Sequence, residues 1–356
     1  MSDFKINSIA TKQGQHGPVI AGVSTVNSTG CMKIPSGPTE FRGGRGRGIF
    51  AGGTLSPGSP RTNKIEFITV ASTGNSTDFG DLSAAKNRGA SCSSSTRGVF
   101  ANGLADPGSA VNTVEFITIS ATGNAFDFGD LVGDKTGSDH KRYGITGFSN
   151  NTRGLFAGGY SPVRSTTIEF INIASKGDAI FFGELTQKRR DATSLASPTR
   201  GVIAGGLDGT KSQNLMDFVT ISTSGNAIDF GDLVNSIIIG GTDYPSRHLA
   251  APASSGTRGL IAGGYYFTNA IDFITIATTS NSTDFGDLTS ARAGLNGTSN
   301  SIRGVFAAGI TPTYLNTMDF VTIASSGNAA DYGDLSYQAH YLFNGQCADA
   351  HGGIGE

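Results

Sequence analysis

TRGLIAGGYYFTNAIDFITIATTSNSTDFGDL, residues Thr257–Leu288, is the stretch that decides the fold, because variants of it occur six times. The copies begin at Arg47, Arg97, Arg153, Arg200, Arg258 and Arg303. Successive copies start 50, 56, 47, 58 and 45 residues apart, a period typical of propeller repeats, whose units bury their faces only against neighbouring units. The sequence therefore predicts an array of similar units that closes on itself.

Each copy carries the signals of short β-strands. In the first copy, RGIFAGG (Arg47–Gly53) is an apolar run that Gly-Gly ends, and KIEFITVA (Lys64–Ala71) is a β-branched and aromatic run. STGNS (Ser72–Ser76) then supplies the Gly-Asn of a tight hairpin turn before TDFGDL. A fourth strand is expected before the next copy, introduced by Arg88, Arg142, Arg190, Arg247 and Arg292. Four strands per copy, without a helical period, predict an all-β chain built of propeller blades.

The strand order also predicts how the array closes. The first copy starts at its second strand, whereas Tyr337–Ala350 continues past the last copy as an unpaired first strand. We expect this C-terminal strand to complete the first blade, which gives a six-bladed β-propeller over residues 44–356 without an exposed strand edge. Residues 1–43 do not match the repeat, and we expect them to form an extended N-terminal arm.

Composition excludes several classes of protein. The 356 residues include 52 glycines, no tryptophan and 15% charged residues, which suits short strands joined by tight turns. A net charge of −2 gives no reason to expect nucleic acid as a partner. No segment approaches the ~18 apolar residues of a membrane span, and the start lacks the apolar run of a signal peptide. Since the three cysteines show neither disulfide nor metal spacing, we expect folding in a reducing cytoplasm, without membrane insertion.

The N-terminal arm differs from the rest of the chain in charge. Residues 1–48 carry about four net positive charges, so the remainder carries about six net negative ones. A basic, extended segment suits docking on a larger assembly. The basic residues expected to make these contacts are Lys33 and Arg42 in the arm and Arg45 directly after it.

The repeat resembles the Kelch repeat. It has an arginine in one strand, an apolar run ending in Gly-Gly, an acid in the third strand and an aromatic-x-x-Leu in the fourth, over residues 44–350. The tryptophan usual in that family is replaced here by Phe79, Phe128, Phe182, Phe230, Phe285 and Tyr332. The resemblance implies four-stranded blades and closure of the first blade by the C-terminal strand.

A second resemblance covers nearly the whole chain. Strings such as TRGVFAGG and DFVTIAS recur behind a leader containing GPVIAG, MKIPSG and EFRGGRGRG, and they look like repeat-containing virion proteins of marine, cyanophage-like bacteriophages. This resemblance implies a structural protein of a tail or capsid appendage, present in multiple copies per particle and folded in the host cytoplasm. Its expected partners are other virion proteins.

Most of the recurring charge is interpreted as structural. A third-strand acid recurs at Glu66, Glu115, Glu169, Asp217, Asp272 and Asp319, once for each arginine of the RG step. We expect these acids and RG arginines to form charge-assisted pairs that join strands or blades, rather than a metal or catalytic ring. The DFG triplets lack the other kinase motifs, and the five histidines lack metal-ligand spacing. We therefore expect a protein without enzymatic activity, cofactor or metal.

The candidate binding residues lie on the loops that vary between copies. The loops between second and third strands and the connections between blades should share one face, where their length and content differ most. Five of the nine candidates on these loops are tyrosines, whose side chains stack on sugar rings or anchor a protein partner. The alternative interpretation is that the tyrosines merely cover the propeller. The candidates are Tyr160, Arg164, Lys211, Asp243, Tyr244, Tyr265, Tyr266, Tyr314 and His140.

These observations favour a non-enzymatic virion protein. In this hypothesis the arm docks on the tail or capsid and the propeller is exposed, where a host-surface glycan or receptor is the expected ligand. Two alternatives remain open at this point: an intracellular Kelch-like protein-interaction module, and a carbohydrate-active propeller enzyme.

Overall fold

The computed structural model describes residues 46–56, 60–134, 136, 140–209, 211–234, 237–239, 242–244 and 246–354. The predicted arm, residues 1–43 with Lys33 and Arg42, lies outside these residues, and so does Arg45, the third expected docking residue. The described part of the chain contains β-strands and no helix, so it holds no helix that could cross a membrane.

In the described ranges, thirty strands follow one another along the chain. In the first two repeats they are β1 (Arg47–Ala51), β2 (Thr54–Leu55), β3 (Lys64–Thr69), β4 (Thr77–Asp81), β5 (Lys86–Asn87), β6 (Ala90–Ser93), β7 (Arg97–Ala101), β8 (Leu104–Ala105), β9 (Ser109–Ala110), β10 (Thr113–Thr118) and β11 (Phe126–Asp130). In the next two they are β12 (Thr146–Ser149), β13 (Arg153–Ala157), β14 (Thr167–Asn172), β15 (Ile180–Glu184), β16 (Thr193–Ala196), β17 (Arg200–Ala204), β18 (Leu215–Thr220) and β19 (Ile228–Asp232). In the last two they are β20 (Ile237–Ile239), β21 (Thr242–Tyr244), β22 (Ala251–Ser254), β23 (Arg258–Ala262), β24 (Ala270–Thr275), β25 (Thr283–Asp287), β26 (Asn296–Ser299), β27 (Arg303–Ala307), β28 (Ile310–Thr311), β29 (Thr313–Thr322) and β30 (Ala330–His340).

Each repeat forms an antiparallel sheet whose strands follow chain order. The second to fifth repeats give the four-stranded sheets β6-β7-β10-β11, β12-β13-β14-β15, β16-β17-β18-β19 and β22-β23-β24-β25. The last repeat gives β26-β27-β29-β30, and the first repeat gives β1-β3-β4. The predicted all-β architecture of four-stranded sheets is confirmed, and it is consistent with a β-propeller.

The C-terminal segment pairs with the otherwise three-stranded first sheet. The backbone N–H of Ile49 donates to the carbonyl of Cys347 at 2.8 Å, and that of Phe343 donates to Ala51 at 3.1 Å. This is the closure that the strand order predicts, but it begins later than expected. Residues 337–340 belong to β30, and residues 343–349 make the pairing with β1.

The arginines of the RG step do not pair with the third-strand acids, so that prediction is wrong. Arg47 stands opposite Thr69, three residues from Glu66 on the same strand. Because side chains alternate between the two faces of a sheet, this odd offset places arginine and acid on opposite faces.

Each RG arginine instead bonds the backbone of the next sheet. The contacts are Arg47 with Ile119 O, Arg97 with Ile173 O and Ala174 O, Arg153 with Ile221 O and Ser222 O, Arg200 with Ile276 O, Arg258 with Ile323 O and Ala324 O, and Arg303 with Val70 O and Ala71 O. The last of these arginines reaches the first sheet. The six contacts therefore form a closed cycle.

The third-strand acids pair with a different set of basic residues, those that precede the first strand of the same sheet. The pairs are Lys86–Glu115 at 2.5 Å, Arg142–Glu169 at 2.5 Å, Arg189–Asp217 and Arg292–Asp319 at 2.9 Å, and Arg247–Asp272. All ten side chains are buried. A buried charge needs such a partner, because its desolvation is otherwise uncompensated.

Glu66 is the exception among the six acids. Lys86, Arg189 and Arg292 are each the fourth residue after the leucine of a DFGDL-like motif. At the same position after DYGDL the chain has Ala339, which has no charge to offer Glu66. Among the described residues no lysine or arginine pairs with Glu66. Its carboxylate accepts instead from the hydroxyls of Ser76, at 2.6 Å, and Ser336.

The hydrophobic core lies between neighbouring sheets. One cluster joins Cys92 and Val99 of the second repeat to Ile171 and Ile173 of the third. Another joins sheets from the two ends of the chain, since it contains Phe50 and Val305. Because each sheet buries its faces against the next one, no repeat has a core of its own.

Candidate functional site

Six backbone positions form a closed hydrogen-bonded ring, which we call the mouth ring. One residue comes from each of the six segments that lead into the first strand of a sheet, where the C-terminal segment counts as the first strand of the first sheet. All six residues have positive φ between 53° and 66°. The N–H donors and C=O acceptors are Arg88 to Tyr341 at 3.1 Å, Gly144 to Arg88 at 2.7 Å, Asp191 to Gly144 at 2.7 Å, Leu249 to Asp191 at 2.9 Å, Gly294 to Leu249 at 3.0 Å, and Tyr341 to Gly294 at 2.8 Å. The ring encircles the centre of the sheets.

The C-terminal segment fills this centre on one side of the mouth ring. The Oε1 atom of Gln346 accepts from Ser299 Oγ at 2.6 Å, while its Nε2 donates to Ser254 Oγ at 2.9 Å. His351 Nε2 lies 3.3 Å from Ser149 Oγ, and all these side chains are buried. A cavity of about 20 Å³ remains beside the ring, which is room for one water molecule.

On its other side the ring opens into a depression of about 250 Å³, which we call the mouth pocket. Three elements reach it: the mouth ring itself, the loop that includes residues 207–212, and the turn that includes residues 265–266. Both the loop and the turn join a second to a third strand, and so belong to the face predicted to vary. Its charged and aromatic lining residues include Arg88, Arg190, Asp191, Tyr265, Tyr266 and Tyr341.

The mouth pocket contains two guanidinium groups and one carboxylate. Asp191 lies 3.1 Å from Arg190 Nη1 and 3.7 Å from Arg88 Nη1. The Arg88 guanidinium also stacks on the Tyr341 ring, 3.9 Å from its centroid. Burial opposes the charge of Arg88, but the attraction of Asp191 and Tyr341 outweighs it and raises its pKa above the ordinary value. Among the described lining residues, two guanidinium groups thus face one carboxylate, and the pocket has an excess positive charge.

His248 adds no charge to the mouth pocket near neutral pH. Burial lowers its pKa to about 4, and the nearby Arg190 and Arg88 act in the same direction, against the opposing effect of Asp191. Its Nδ1 lies 2.7 Å from Ser212 Oγ, and its ring stacks 4.5 Å from the Tyr265 ring. The neutral imidazole thus positions Tyr265 beside the two arginines.

Of the nine candidates named from the sequence, Tyr265 and Tyr266 line the mouth pocket. Arg164 lies behind it, where Nη2 donates to the Gly209 carbonyl at 2.5 Å. Tyr160 packs on Tyr143 with ring centroids 5.4 Å apart. These last two residues support the loop and ring rather than line the pocket.

The remaining candidates are spread around the same face. Lys211 is exposed on the loop that lines the pocket, and Tyr314 stacks on His340, which in turn stacks on Tyr341. His140 contributes its carbonyl to the Asn102 amide at 3.3 Å and does not line the pocket. The side chains of Asp243 and Tyr244 lie outside the described residues.

Sequence reasoning missed four charged or aromatic lining residues: Arg88, Arg190, Asp191 and Tyr341. The signal that would have found three of them is their register. Arg88, Asp191 and Tyr341 each follow the leucine of the DFGDL-like motif by six residues, the place that Gly294 takes in the fifth connection. These are the repeat positions where side-chain chemistry varies around the mouth ring.

Comparison with protein-family models finds no match to this chain, and comparison with curated proteins finds no similar sequence. Within the described ranges, no group of three or more His, Cys, Asp or Glu side chains could hold a metal ion.

We expect stability to fall as pH decreases from 6.5 to 4. Burial lowers the folded pKa of His248, His340 and His351 from 6.5 to about 4, so the unfolded chain binds more protons in this interval. At ~1.4 kcal/mol per pKa unit, each histidine removes up to about 3 kcal/mol. The pKa of Asp349 is raised to about 6 by burial, so this group offsets the loss of one histidine below pH 6.

Urea unfolding at pH 7.5, 6.5, 5.5 and 4.5 measures this dependence. In the His351→Gln variant the loss of stability between pH 6.5 and 4.5 should be smaller than in the parent chain. An unfolding free energy that stays constant over this interval would contradict the assignment of buried, neutral histidines.

Proposed function

We propose that this chain is a six-bladed, Kelch-like β-propeller that serves as a non-enzymatic structural and binding protein of a bacteriophage particle. In this proposal residues 1–43 dock on the tail or capsid, and the mouth pocket faces outward to a host-surface glycan or receptor. The observation that carries the binding role is the pairing in the mouth pocket of exposed tyrosine with an excess of guanidinium groups.

Three closed cycles support six blades. The RG arginines link each sheet to the next and the last to the first, and the mouth ring joins one residue from each of six connections. The third is the core, whose clusters continue from the last repeat to the first. Six equivalent steps that return to their origin are what a six-bladed propeller requires.

The contrast between frame and pocket supports the binding role. Five of the six repeated acids are neutralised by a buried cation in their own sheet, so the repeated charge is used in holding the strands. The mouth pocket, by comparison, combines Arg88, Arg190 and Tyr265 at positions that differ between repeats. Sites that a scaffold leaves free to vary are where recognition is usually placed.

The composition of the pocket also favours binding over glycoside hydrolysis. That chemistry ordinarily needs two carboxyl groups flanking the scissile bond. Among the described residues that line the mouth pocket, Asp191 is the one carboxylate, and both neighbouring charges are arginines. We therefore propose recognition without catalysis.

The virion assignment is tested by particle composition. The protein is expected in purified particles by mass spectrometry, in multiple copies, and a chain that lacks residues 1–43 should fold but be absent from them. A Tyr265→Ala chain with an intact arm serves as the matched control and should be incorporated normally. Incorporation of the shortened chain would show that the arm is not the anchor, and absence of the full chain from particles would contradict the virion role.

A further inference from the structure

We infer that the mouth pocket binds a carboxylate-bearing sugar residue, such as a hexuronic acid unit of a surface polysaccharide. The Arg88 and Arg190 guanidinium groups receive the carboxylate, and Tyr265 contacts the sugar ring. This inference rests on the proposed function, because it specifies the ligand of the same pocket.

The charge of the pocket selects an anion. Asp191 forms an ion pair with Arg190 at 3.1 Å and lies 3.7 Å from Arg88, beyond hydrogen-bond distance. One carboxylate thus balances only one of two guanidinium charges, and an incoming carboxylate supplies a second anion in the forked geometry that arginine favours.

Among the described residues, the neighbouring charges do not cancel this excess. Asp208 and Lys211 lie on the same loop and offset each other, while Arg164 adds a further positive charge behind Gly209. His248 is neutral at pH 7, so its imidazole suits hydrogen bonds with hydroxyl groups rather than attraction of a second anion.

The backbone of the mouth ring carries a conformational cost at the same place. Arg88, Asp191 and Tyr341 have φ of 53° to 56°, where Gly144 and Gly294 hold the equivalent positions. A residue with a Cβ is less stable there by about 1–2 kcal/mol. Strained residues of this kind concentrate at ligand sites, where the side chain they present is used.

Size and aromatic content favour a sugar over a peptide. At about 250 Å³ the pocket is smaller than the ~300–1,000 Å³ typical of drug-sized ligands, so it admits one compact unit. The Tyr265 side chain is 43% exposed and adjoins Tyr266, with ring centroids 4.9 Å apart. An amphipathic tyrosine ring can pack on the apolar face of a sugar while its hydroxyl bonds the polar edge.

The test compares methyl β-D-glucuronide with methyl β-D-glucoside, two sugars that differ only in the carboxylate, by calorimetric titration of the full chain. We expect the glucuronide to bind and the glucoside to bind about 10–100-fold more weakly, since a charge-assisted hydrogen bond contributes about 1.5–3 kcal/mol. Arg190→Gln should weaken glucuronide binding by a similar factor. Lys188→Gln removes the same charge two residues away from the pocket and should leave binding unchanged.

Equal affinity for the two sugars, or glucuronide binding that Arg190→Gln leaves unchanged, overturns the inference. Binding of a glutamate-rich peptide together with failure to bind either sugar also overturns it and indicates a protein partner. Particle composition separates this inference from the proposed function. If the protein is present in particles but does not bind glucuronide, the inference is wrong and the virion role stands. If the protein binds glucuronide but is absent from particles, the virion role is wrong and the inference stands.

Discussion

A chain that ends at Leu342 is expected to lose its folded state. The missing residues supply the strand that pairs with β1, through bonds such as Ile49 N to Cys347 O at 2.8 Å. They also remove Phe343, whose buried ring packs edge-on against Phe100 with centroids 6.0 Å apart. Without them the first sheet has three strands, and the centre filled by Gln346 and His351 is open.

The magnitude follows from the buried groups that are lost. Truncating one buried Phe to Ala costs about 3–5 kcal/mol, and domains are stable by only about 5–15 kcal/mol. Removing Phe343, Cys347 and Ala348 together, with their backbone hydrogen bonds, therefore uses most or all of the available stability. Because each sheet packs on its neighbours in a cycle, we expect the loss to affect the whole array rather than the first repeat alone.

Circular dichroism and thermal unfolding of the purified chain measure this effect. The shortened chain should show no cooperative transition, or one lowered by tens of degrees. A chain that lacks only Gly355 and Glu356 keeps all the contacts named above and should unfold like the parent. A cooperative transition within a few degrees of the parent would mean that residues 343–354 do not close the structure.

The closing segment also shows how far the sequence alone could go. A first repeat without a first strand and a surplus strand at the C-terminus were enough to predict which segments meet. The continuation of the chain into the centre could not be predicted, because Gln346 and His351 match no repeated position and their partners lie on strands far apart in sequence. Periodicity carries information only about positions that repeat.

Register explains the other differences between sequence and structure. Equal numbers of RG arginines and third-strand acids predict that they pair, but equal numbers do not indicate which face of the sheet each side chain occupies. The offset of three residues between Glu66 and the partner of Arg47 decides against it. Of the candidates named from the sequence, Tyr265 and Tyr266 line the mouth pocket, whereas Arg88 and Asp191 lie in segments that the sequence predicts as strand starts.

The buried acids lead to the second large effect, a contrast between two chemically identical substitutions. Glu169→Gln is expected to destabilise the fold by about 3–5 kcal/mol, the range measured when one member of a buried ion pair is removed. Its partner Arg142 is fully buried, with Nη2 2.5 Å from the carboxylate, and the substitution removes this counter-ion. The other carboxylate oxygen accepts from the N–H groups of Val132 and Gly133. The NH₂ group of glutamine would therefore face a hydrogen-bond donor at either oxygen position.

Glu66→Gln at the equivalent position of the first repeat is expected to change stability by no more than about 1 kcal/mol. No described cation is left unpaired by it, and hydroxyls can accept as well as donate, so Ser76 and Ser336 can bond the amide. Losing a buried charge that has no buried counter-ion also removes a desolvation cost. Chemical unfolding of the two variants under the same conditions gives both values.

The difference between these variants isolates the role of the cation. Burial, strand position and the substituted atoms are matched, since both acids occupy the bulged position of a third strand and both are buried. Equal destabilisation would mean that hydrogen bonds to the carboxylate, rather than its ion pair, hold this part of the sheet. A large loss confined to Glu169→Gln would show that the frame depends on charge neutralisation within each sheet. It would also show that the sheet completed by the C-terminal segment is held by different bonds from the other five.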